Sequence, residues 1–396
     1  MPDIPVEAEE IEVAEPIGRR DFLKKASMAA GAAAVGGLAL AACSKDDTST
    51  AETTIAAPNI VKDVIEWTMV TTWPPTLPIL ADGVVNWAND VEKMSDGRIK
   101  ITVYGAGELV PALEWFDNVS AGTAQVGNGA AYYNAGKAPA SQFFAAVPFG
   151  MNYQQLMAWF FGGDGLKLWQ DTYDEFNVVP FPAGNTGVQM GGWFNKEINS
   201  VDDFKGLKMR IPGLGGKVID ALGASATLVA GGEIYTNLER GVIDATEWVG
   251  PYHDELMGFY KVAKYYYFPG WHEPGTALEL TINKSEWSKL PEDLKQICAI
   301  AAYNQNIWEI AQFDSQNGAA LKRLTTENGV QLRPFPESVM ATLRKTATEV
   351  IDGIAAGDPQ SAKVWDNYQK FHEQVGGWST VSEKAYYDLI SPAYQL

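Results

Sequence analysis

The chain has 396 residues, 46% of them apolar, so it is long enough to build one large or two smaller hydrophobic cores. It carries 49 acidic and 30 basic residues, a net charge of −19, which argues against nucleic-acid binding because phosphate contacts need clustered lysine and arginine. Only two cysteines and three histidines occur, which excludes a disulfide framework and disfavours zinc sites of the Cys/His type.

The N-terminal segment has the pattern of an export signal. Arg19 and Arg20 open a basic run, and an apolar stretch rich in Ala and Gly follows over residues 26–42. An arginine pair ahead of a short apolar region is typical of substrates of the twin-arginine route. The stretch is too weakly apolar for a good membrane span, which needs ~20 strongly apolar residues. We therefore predict a twin-arginine signal peptide over residues 1–42 and a periplasmic protein.

The signal ends in a second pattern. The sequence Leu-Ala-Ala-Cys, which ends at Cys43, is similar to a bacterial lipobox, in which the cysteine is lipidated and becomes N-terminal. Ordinary cleavage at a nearby small residue is the alternative. Residues 44–58 are polar and small, and lack core-forming side chains, as expected of a tether between an anchor and a domain. We predict lipidation of Cys43 and a flexible tether over residues 43–62.

Strand-like and helix-like patterns alternate through the body of the chain. Predicted strands and helices follow one another over 64–70, 77–94, 99–103, 111–121, 124–131, 153–173 and 178–182. Such alternation favours parallel sheets covered by helices. From residue 290 onward the pattern is mainly helical, over 291–317, 336–355 and 361–375. The sequence thus predicts an α/β fold with two lobes, a ligand cleft between them and a helical C-terminal region.

The segment 181–275 is dense in Gly, Trp, Tyr and isolated charges. Arg210 ends a strand-like run before Ile-Pro-Gly, and ligands of open α/β sheets bind at the carboxyl ends of strands. Its planar guanidinium suits a bidentate pair with a carboxylate. A structural salt bridge at the surface is the alternative for this residue.

Two glutamates in the same segment have aromatic neighbours. Glu247 follows a predicted strand, and Glu273 lies after a run of Tyr, Phe and Trp. A carboxylate is costly to bury among aromatics unless it is paired or binds a metal. With the amide of Gln189 the two glutamates form an all-oxygen set, which suits Na⁺ or Ca²⁺ better than a transition metal. Solvated surface charges are the alternative, and His272, beside Glu273, is expected to be packed and to bind nothing.

Six motifs, taken in order, are similar to those of the extracytoplasmic solute receptors of TRAP transporters, in the branch that binds α-keto acids. They are GAGELVP (105–111), AAVPF (145–149), GNTGVQMGGWF (184–194), GLKMRIPG (206–213), the run 231–250 from GGEIY to TEWVG, and YYYFPGWHEPG (265–275). The resemblance extends from about residue 65 to the C-terminal helices. It implies a receptor that closes its two lobes on a small carboxylate and delivers it to a membrane permease.

The resemblance also assigns roles to residues. It implies that Arg210 pairs with the ligand carboxylate, and that a metal is bound by the side chains of Gln189, Glu247 and Glu273 and the backbone carbonyl of Trp248. It places a tyrosine on the ligand in the stretch 131–134. This stretch departs from the family's usual aromatic run, so Tyr132 and Tyr133 both remain candidates, and Asn185 is a further candidate.

The resemblance further implies an organisation and partners. We expect one lobe over 63–187 plus about 274–315, and the other over 188–273 plus about 316–396 with the C-terminal helices. The expected ligand is a short 2-oxo or 2-hydroxy monocarboxylate such as pyruvate. The expected ion is Na⁺, with Ca²⁺ as the alternative that balances the charges better. A TRAP permease and a second copy of the chain are the expected partners.

Two other functions stay open at this point. A secreted α/β enzyme acting on keto acids would need a nucleophile or general base, and no Ser/His or Cys/His arrangement, nucleophile elbow, P-loop or dinucleotide motif occurs. The sequence therefore predicts a binding protein without catalysis. A ligand-binding lipoprotein that serves no permease is the third possibility.

Overall fold

The computed structural model describes residues 64–391. The predicted signal peptide of residues 1–42, Cys43 and the tether over 43–62 lie outside the described residues. Within 64–391, no helix combines the length and the apolar character that a membrane crossing requires.

The described residues contain eleven strands, numbered here in chain order. They are β1 (Ile65–Thr71), β2 (Ile99–Tyr104), β3 (Val126–Gly129), β4 (Val178–Asn185), β5 (Gly192–Phe194), β6 (Lys208–Arg210), β7 (Ser225–Thr227), β8 (Ala245–Thr246), β9 (Tyr265–Phe268), β10 (Ala277–Asn283) and β11 (Gln331–Pro334). They form a first sheet of order β2-β1-β3-β10-β4 and a second of order β11-β9-β5-β8-β6-β7.

The same residues contain thirteen α-helices. They are α1 (Leu80–Met94), α2 (Trp115–Ser120), α3 (Gln142–Ala145), α4 (Tyr153–Gly162), α5 (Gly165–Tyr173), α6 (Gly213–Ala221), α7 (Ile234–Glu239), α8 (Pro251–Leu256), α9 (Lys284–Lys289), α10 (Glu292–Thr326), α11 (Glu337–Gly357), α12 (Pro359–Ser379) and α13 (Ala385–Ile390). The single helix predicted over 153–173 is wrong, because Gly163 and Asp164 separate α4 from α5.

The first sheet is mixed, which corrects the prediction of parallel sheets. Strand β1 pairs in parallel with β2 and β3, as β-α-β connections require, but β10 runs antiparallel to both β3 and β4. The reason lies in the chain path. The chain leaves the sheet after Asn185, at the end of β4, and re-enters it at Ala277, which is opposite Asn185 in the register. Exit and return therefore lie side by side.

The second sheet places two strand ends next to each other. Strand β6 pairs in parallel with β8, and Arg210 is opposite Thr246. Glu247, the next residue, therefore lies at the same edge as Arg210. Strand β5 is antiparallel to β8 and β9, so the second sheet is mixed as well.

The long helix α10 contacts helices that follow strands of both sheets. The indole of Trp87, in α1, donates to the carbonyl of Cys298 at 3.1 Å. Near the other end of α10, the side-chain oxygen of Asn317 accepts from the backbone N–H of Tyr252, in α8, at 3.0 Å. Helix α1 follows β1 of the first sheet and α8 follows β8 of the second, so α10 supports both.

The pH dependence of stability should carry a contribution from Glu279 in β10. Its carboxyl is fully buried and accepts from Asn134 at 3.0 Å and from Tyr173 at 3.3 Å. Burial raises the pKa of Glu279 from 4.5 to about 8. Between these values the folded protein holds a proton that the unfolded chain has lost, so stability falls as the pH rises through this window.

Glu279→Gln should therefore make the urea midpoint fall less between pH 5 and pH 8.5 than it does in the wild type. The exposed Glu239, in α7, offers a matched control, and Glu239→Gln should keep the wild-type pH slope. Equal slopes in all three proteins would contradict a protonated Glu279.

Candidate ligand and cation site

The site is built on the two chain segments that cross between the sheets, residues 186–191 and 269–276. They are hydrogen-bonded to each other through their backbones: Thr186 N–H donates to the Thr276 carbonyl at 3.1 Å, and Gln189 N–H donates to the Glu273 carbonyl at 3.1 Å. Gly270 N–H in turn donates to the carbonyl of Gln189 at 2.9 Å. These bonds fix the position of Gln189 and Glu273 relative to both sheets. Gln189 thus lies in the connection between β4 and β5.

Arg210 is the buried cation of the site, with 1% of its surface exposed. Its Nη1 donates to a carboxylate oxygen of Glu247 and, at 3.3 Å, to the Glu247 carbonyl. Its Nε donates to the Val229 carbonyl and its Nη2 to the Tyr133 hydroxyl, each at 3.4 Å. The guanidinium also lies 5.2 Å from the ring centroid of Trp248. Arg210 is therefore fixed from several sides, and its Nη1 is fully engaged by Glu247.

Three ligating side chains meet beside this arginine. Oxygen or nitrogen atoms of Glu247, His272 and Glu273 all lie within 4.8 Å of one another, and all three residues are buried. The second carboxylate oxygen of Glu247 is 3.3 Å from Nε2 of His272. His272 is packed, as predicted, but it also contacts a carboxylate, which the sequence analysis missed.

Glu273 is held by neutral donors only. It accepts from the Gln189 amide at 2.8 Å, from the Thr276 hydroxyl at 2.5 Å and from the Tyr132 hydroxyl at 3.4 Å. Burial, together with the charge of Glu247, raises the pKa of Glu273 above its ordinary value. Two buried carboxylates thus face one guanidinium, which leaves an excess negative charge that a low-dielectric site tolerates poorly.

A hard cation fits this donor set. The side-chain oxygen of Gln189 is buried and has no hydrogen-bond partner, so it is free to bind a cation. With the carboxylates of Glu247 and Glu273 it forms the oxygen set that Na⁺ and Ca²⁺ prefer. A cation here would also compensate the excess negative charge.

A small cavity adjoins these groups. Only about 10 Å³ of it is open to the centre of a water molecule, which is roughly the space that one water needs. Its lining consists of Trp73, Leu80, Tyr132, Tyr133, Thr186, Gln189, Arg210, Trp248, Val249 and Leu278. Pockets for drug-sized ligands have about 300–1,000 Å³, so this cavity is nearly closed. Larger depressions occur at the surface, and one of them is lined by Val229, whose carbonyl accepts from Arg210.

The structure brings most of the predicted site residues together. Arg210, Gln189 and Trp248 line the cavity, and both candidate tyrosines reach charged groups: Tyr132 contacts Glu273 and Tyr133 contacts Arg210. The side chain of Asn185 is turned into the backbone instead. It accepts from Gly187 N–H at 2.8 Å and donates to the Gly275 carbonyl at 3.4 Å, and it does not line the cavity.

Seven further residues of the site were not found from the sequence: Thr186, Val249 and Leu278 line the cavity, and the other four have the following contacts. Trp73 and Leu80 line the cavity from the side of the first sheet, far from Arg210 along the chain. Thr276 binds Glu273, and His272 contacts Glu247. The adjacency of His272 to Glu273 was the only sequence signal among the four.

The comparisons with known proteins bear on the family of the chain. The sequence model of the bacterial extracellular solute-binding protein family 7 matches residues 69–358. The monocarboxylate 2-oxoacid-binding periplasmic protein of Nostoc sp. is 42% identical over 373 residues, which cover 94% of this chain and 99% of the relative.

Three solved structures share the fold. Two are TRAP periplasmic solute-binding proteins: that of Pseudoalteromonas atlantica has bound sodium and pyruvate, and that of Colwellia psychrerythraea has bound calcium and pyruvate. Each is 43% identical to this chain at a TM-score of 0.80, and the match covers 82% of this chain and 99% of theirs. A TRAP solute-binding protein of Bordetella bronchiseptica, a dimer with calcium and picolinate, is 35% identical at a TM-score of 0.82, covering 83% and 98%. The predicted two-lobed α/β fold and the predicted family are confirmed by these matches.

Removing one partner of the buried ion pair between Arg210 and Glu247 should lower the stability of the fold. Arg210→Met leaves the carboxylates of Glu247 and Glu273 without a counter-charge and should lower the free energy of unfolding by about 3–5 kcal/mol in cation-free buffer, measured by urea denaturation. Adding Glu247→Gln to the same chain removes one of these charges and should recover part of the loss.

Arg323 and Glu255 provide a matched control, because they form an ion pair in which the arginine side chain is 42% exposed. Arg323→Met should cost much less than Arg210→Met, since exposed ion pairs contribute little. Equal losses at the two sites would contradict the account of the buried charges.

Proposed function

The chain belongs to family 7 of the bacterial extracellular solute-binding proteins, and on that basis we propose that it is the substrate receptor of a TRAP transporter. It captures one short 2-oxo or 2-hydroxy monocarboxylate, of the pyruvate type, together with one cation, and presents it to a membrane permease. The observation that carries this proposal is the buried Arg210 beside two carboxylates, at the lining of a small cavity. The ligands of the relatives support the choice of substrate class.

The ligand carboxylate binds Arg210 in this proposal. Nη2 faces only the Tyr133 hydroxyl, at 3.4 Å, whereas Nη1 is occupied by Glu247. A bidentate pair with the ligand therefore requires the Glu247 carboxylate to turn away from Arg210. A cation bound by Gln189, Glu247, Glu273 and the carbonyl of Trp248 would draw Glu247 in that direction. Cation and ligand would then favour each other's binding.

The cation is Na⁺ in this proposal, with Ca²⁺ as the alternative. With the ligand carboxylate present, Glu247, Glu273 and Arg210 leave a net charge of about −2, which Na⁺ reduces to −1 and Ca²⁺ to zero. Charge balance alone thus favours Ca²⁺. Pyruvate occurs with sodium in one similar structure and with calcium in another, so the donor set of such proteins accepts both ions.

Catalysis on keto acids has less support. The cavity lining contains no serine, cysteine or histidine that could serve as nucleophile or general base, and its ionisable groups are one arginine and two tyrosines. A receptor returns pyruvate unchanged after incubation, whereas an enzyme consumes it.

The two sheets define the moving parts of the proposed receptor. One lobe comprises residues 63–187 and about 274–315, around the first sheet, and the other comprises 188–273 and about 316–396, around the second. Closure is expected at the two crossing segments, 186–191 and 269–276, with α10 supporting both lobes. The ligand is enclosed as the lobes approach.

The bidentate hydrogen bonding of the Arg210 guanidinium is tested by a substitution that keeps its charge. Arg210→Lys retains one positive charge but cannot form two parallel hydrogen bonds with a carboxylate. Titration calorimetry with pyruvate in sodium buffer should show an affinity lower by about 2–5 kcal/mol. The exposed pair again offers a control, and Arg323→Lys should bind pyruvate as the wild type does. Wild-type affinity in Arg210→Lys would remove this arginine from the ligand site.

The family and the relative from Nostoc are extracytoplasmic, which supports a periplasmic location. Export by the twin-arginine route and a lipid anchor at Cys43 are further proposals that rest on the sequence. Replacing Arg19 and Arg20 together by lysine should leave the protein in the cytoplasm. Cys43→Ser should move it from the membrane fraction to the soluble periplasm with pyruvate binding intact. A wild-type protein that is already fully soluble in the periplasm would refute the anchor.

A homodimer through the C-terminal helices is proposed as well. Large apolar side chains are more than half exposed near the end of the chain: Trp378, Val381, Tyr386, Tyr387 and Leu389. Contiguous exposed apolar residues are typical of interaction surfaces, and a related structure is described as a dimer. Light scattering should give twice the chain mass at micromolar concentration, and Trp378→Glu with Leu389→Glu should give the monomer. A wild-type monomer would contradict the proposal.

A further inference from the structure

A strained turn precedes helix α1 at the border of the cavity. Ile79 has φ 65° and ψ −65°, and Leu80 N–H donates to the carbonyl of Pro78 at 2.8 Å. These values define a γ-turn, which is rare and strained, and a β-branched residue with positive φ is an outlier. Ile79 is also buried. Such a conformation persists only where the surroundings hold it, so its contacts indicate what it does.

The carbonyl of this turn receives a second hydrogen bond, from the other half of the molecule. Nε2 of His253, in α8, lies 2.8 Å from the Pro78 oxygen. Because a carbonyl only accepts, Nε2 carries the proton, and Nδ1 is left to accept from the indole N–H of Trp248 at 3.3 Å. The imidazole is fully buried and packs edge to face on Phe313 of α10 at 4.7 Å. Its orientation is therefore fixed.

Both ends of this hydrogen-bond chain lie at the ligand cavity. Leu80, the last residue of the turn, lines the cavity from the first-sheet side. Trp248 lines it from the second-sheet side, and its ring lies against the guanidinium of Arg210. Trp73, which follows β1, packs edge to face on Trp248 at 6.2 Å. A contact that joins Pro78 to Trp248 therefore also sets the distance between two walls of the cavity.

We propose that His253 is a positioning residue that holds the two halves together around the ligand. We call Pro78, Ile79, Leu80, Trp248 and His253 the closure latch. When the halves are together, the hydrogen bond from His253 offsets the strain at Ile79. It also holds Leu80 and Trp248 in place as walls of the cavity. The bond also forms in the ligand-free protein whenever the halves come together, and when they part it is lost and the turn relaxes. The inference that ligand retention depends on the latch rests on the proposed function.

The test separates a latch from a merely structural histidine by its kinetics. His253→Phe keeps a ring of similar shape on Phe313 but loses both hydrogen bonds. Stopped-flow tryptophan fluorescence with pyruvate in sodium buffer should show dissociation faster by about 3- to 10-fold, with little change in the association rate. His253→Gln restores a donor towards Pro78 and should lie between the wild type and His253→Phe. His372→Phe, at the half-buried histidine of α12, is the matched control and should behave as the wild type.

Hydrogen exchange tests the contact without any ligand. In the ligand-free protein, His253→Phe should speed exchange in the peptide that contains Leu80 and leave β10 unchanged. If the wild type fails to bind pyruvate, the proposed function fails while this exchange comparison still decides the latch. Wild-type exchange at Leu80 in His253→Phe would overturn the latch, and so would wild-type dissociation in a protein that binds pyruvate.

Discussion

The excess of buried negative charge between the two sheets is the constraint on which the rest of the site depends. Glu247 and Glu273 are almost fully buried; Glu247 pairs with Arg210, whereas Glu273 accepts from neutral donors only. Such an arrangement costs free energy unless Glu273 takes up a proton, as its raised pKa favours, or a cation binds. The free oxygen of Gln189 and the short distances among the carboxylates provide a place for that charge. The same group of buried charges therefore accounts both for the need for a cation and for the capacity to bind an anion.

The fold produces this concentration of charge through the path of the backbone. Asn185 and Ala277 are register partners, so the chain leaves and re-enters the first sheet at neighbouring points. The two crossing segments therefore run side by side and bond to each other. The parallel pairing of β6 with β8 then brings Arg210 and Glu247 to the same edge, opposite Glu273.

The sequence was sufficient to predict residues whose role follows from local position. Arg210 and Glu247 each come at the end of a strand, and strand ends are where open sheets bind ligands. It was insufficient where the role depends on contacts between distant segments. The antiparallel direction of β10 is not encoded in its hydrophobic pattern, and Leu80 and His253 reach the cavity region only because two lobes meet. Which tyrosine serves the site was also undecidable from spacing, since Tyr132 and Tyr133 both contact charged groups.

The central claim is that a cation bridges protein and ligand. The most direct measurement is the affinity for pyruvate by calorimetry in sodium-free, calcium-chelated buffer, followed by addition of each ion, in the wild type and in Glu273→Gln. We expect weak binding without ions, recovery on adding Na⁺ or Ca²⁺ to the wild type, and a diminished response in Glu273→Gln. Full affinity with neither ion present would contradict the bridge and leave the two buried carboxylates without a partner.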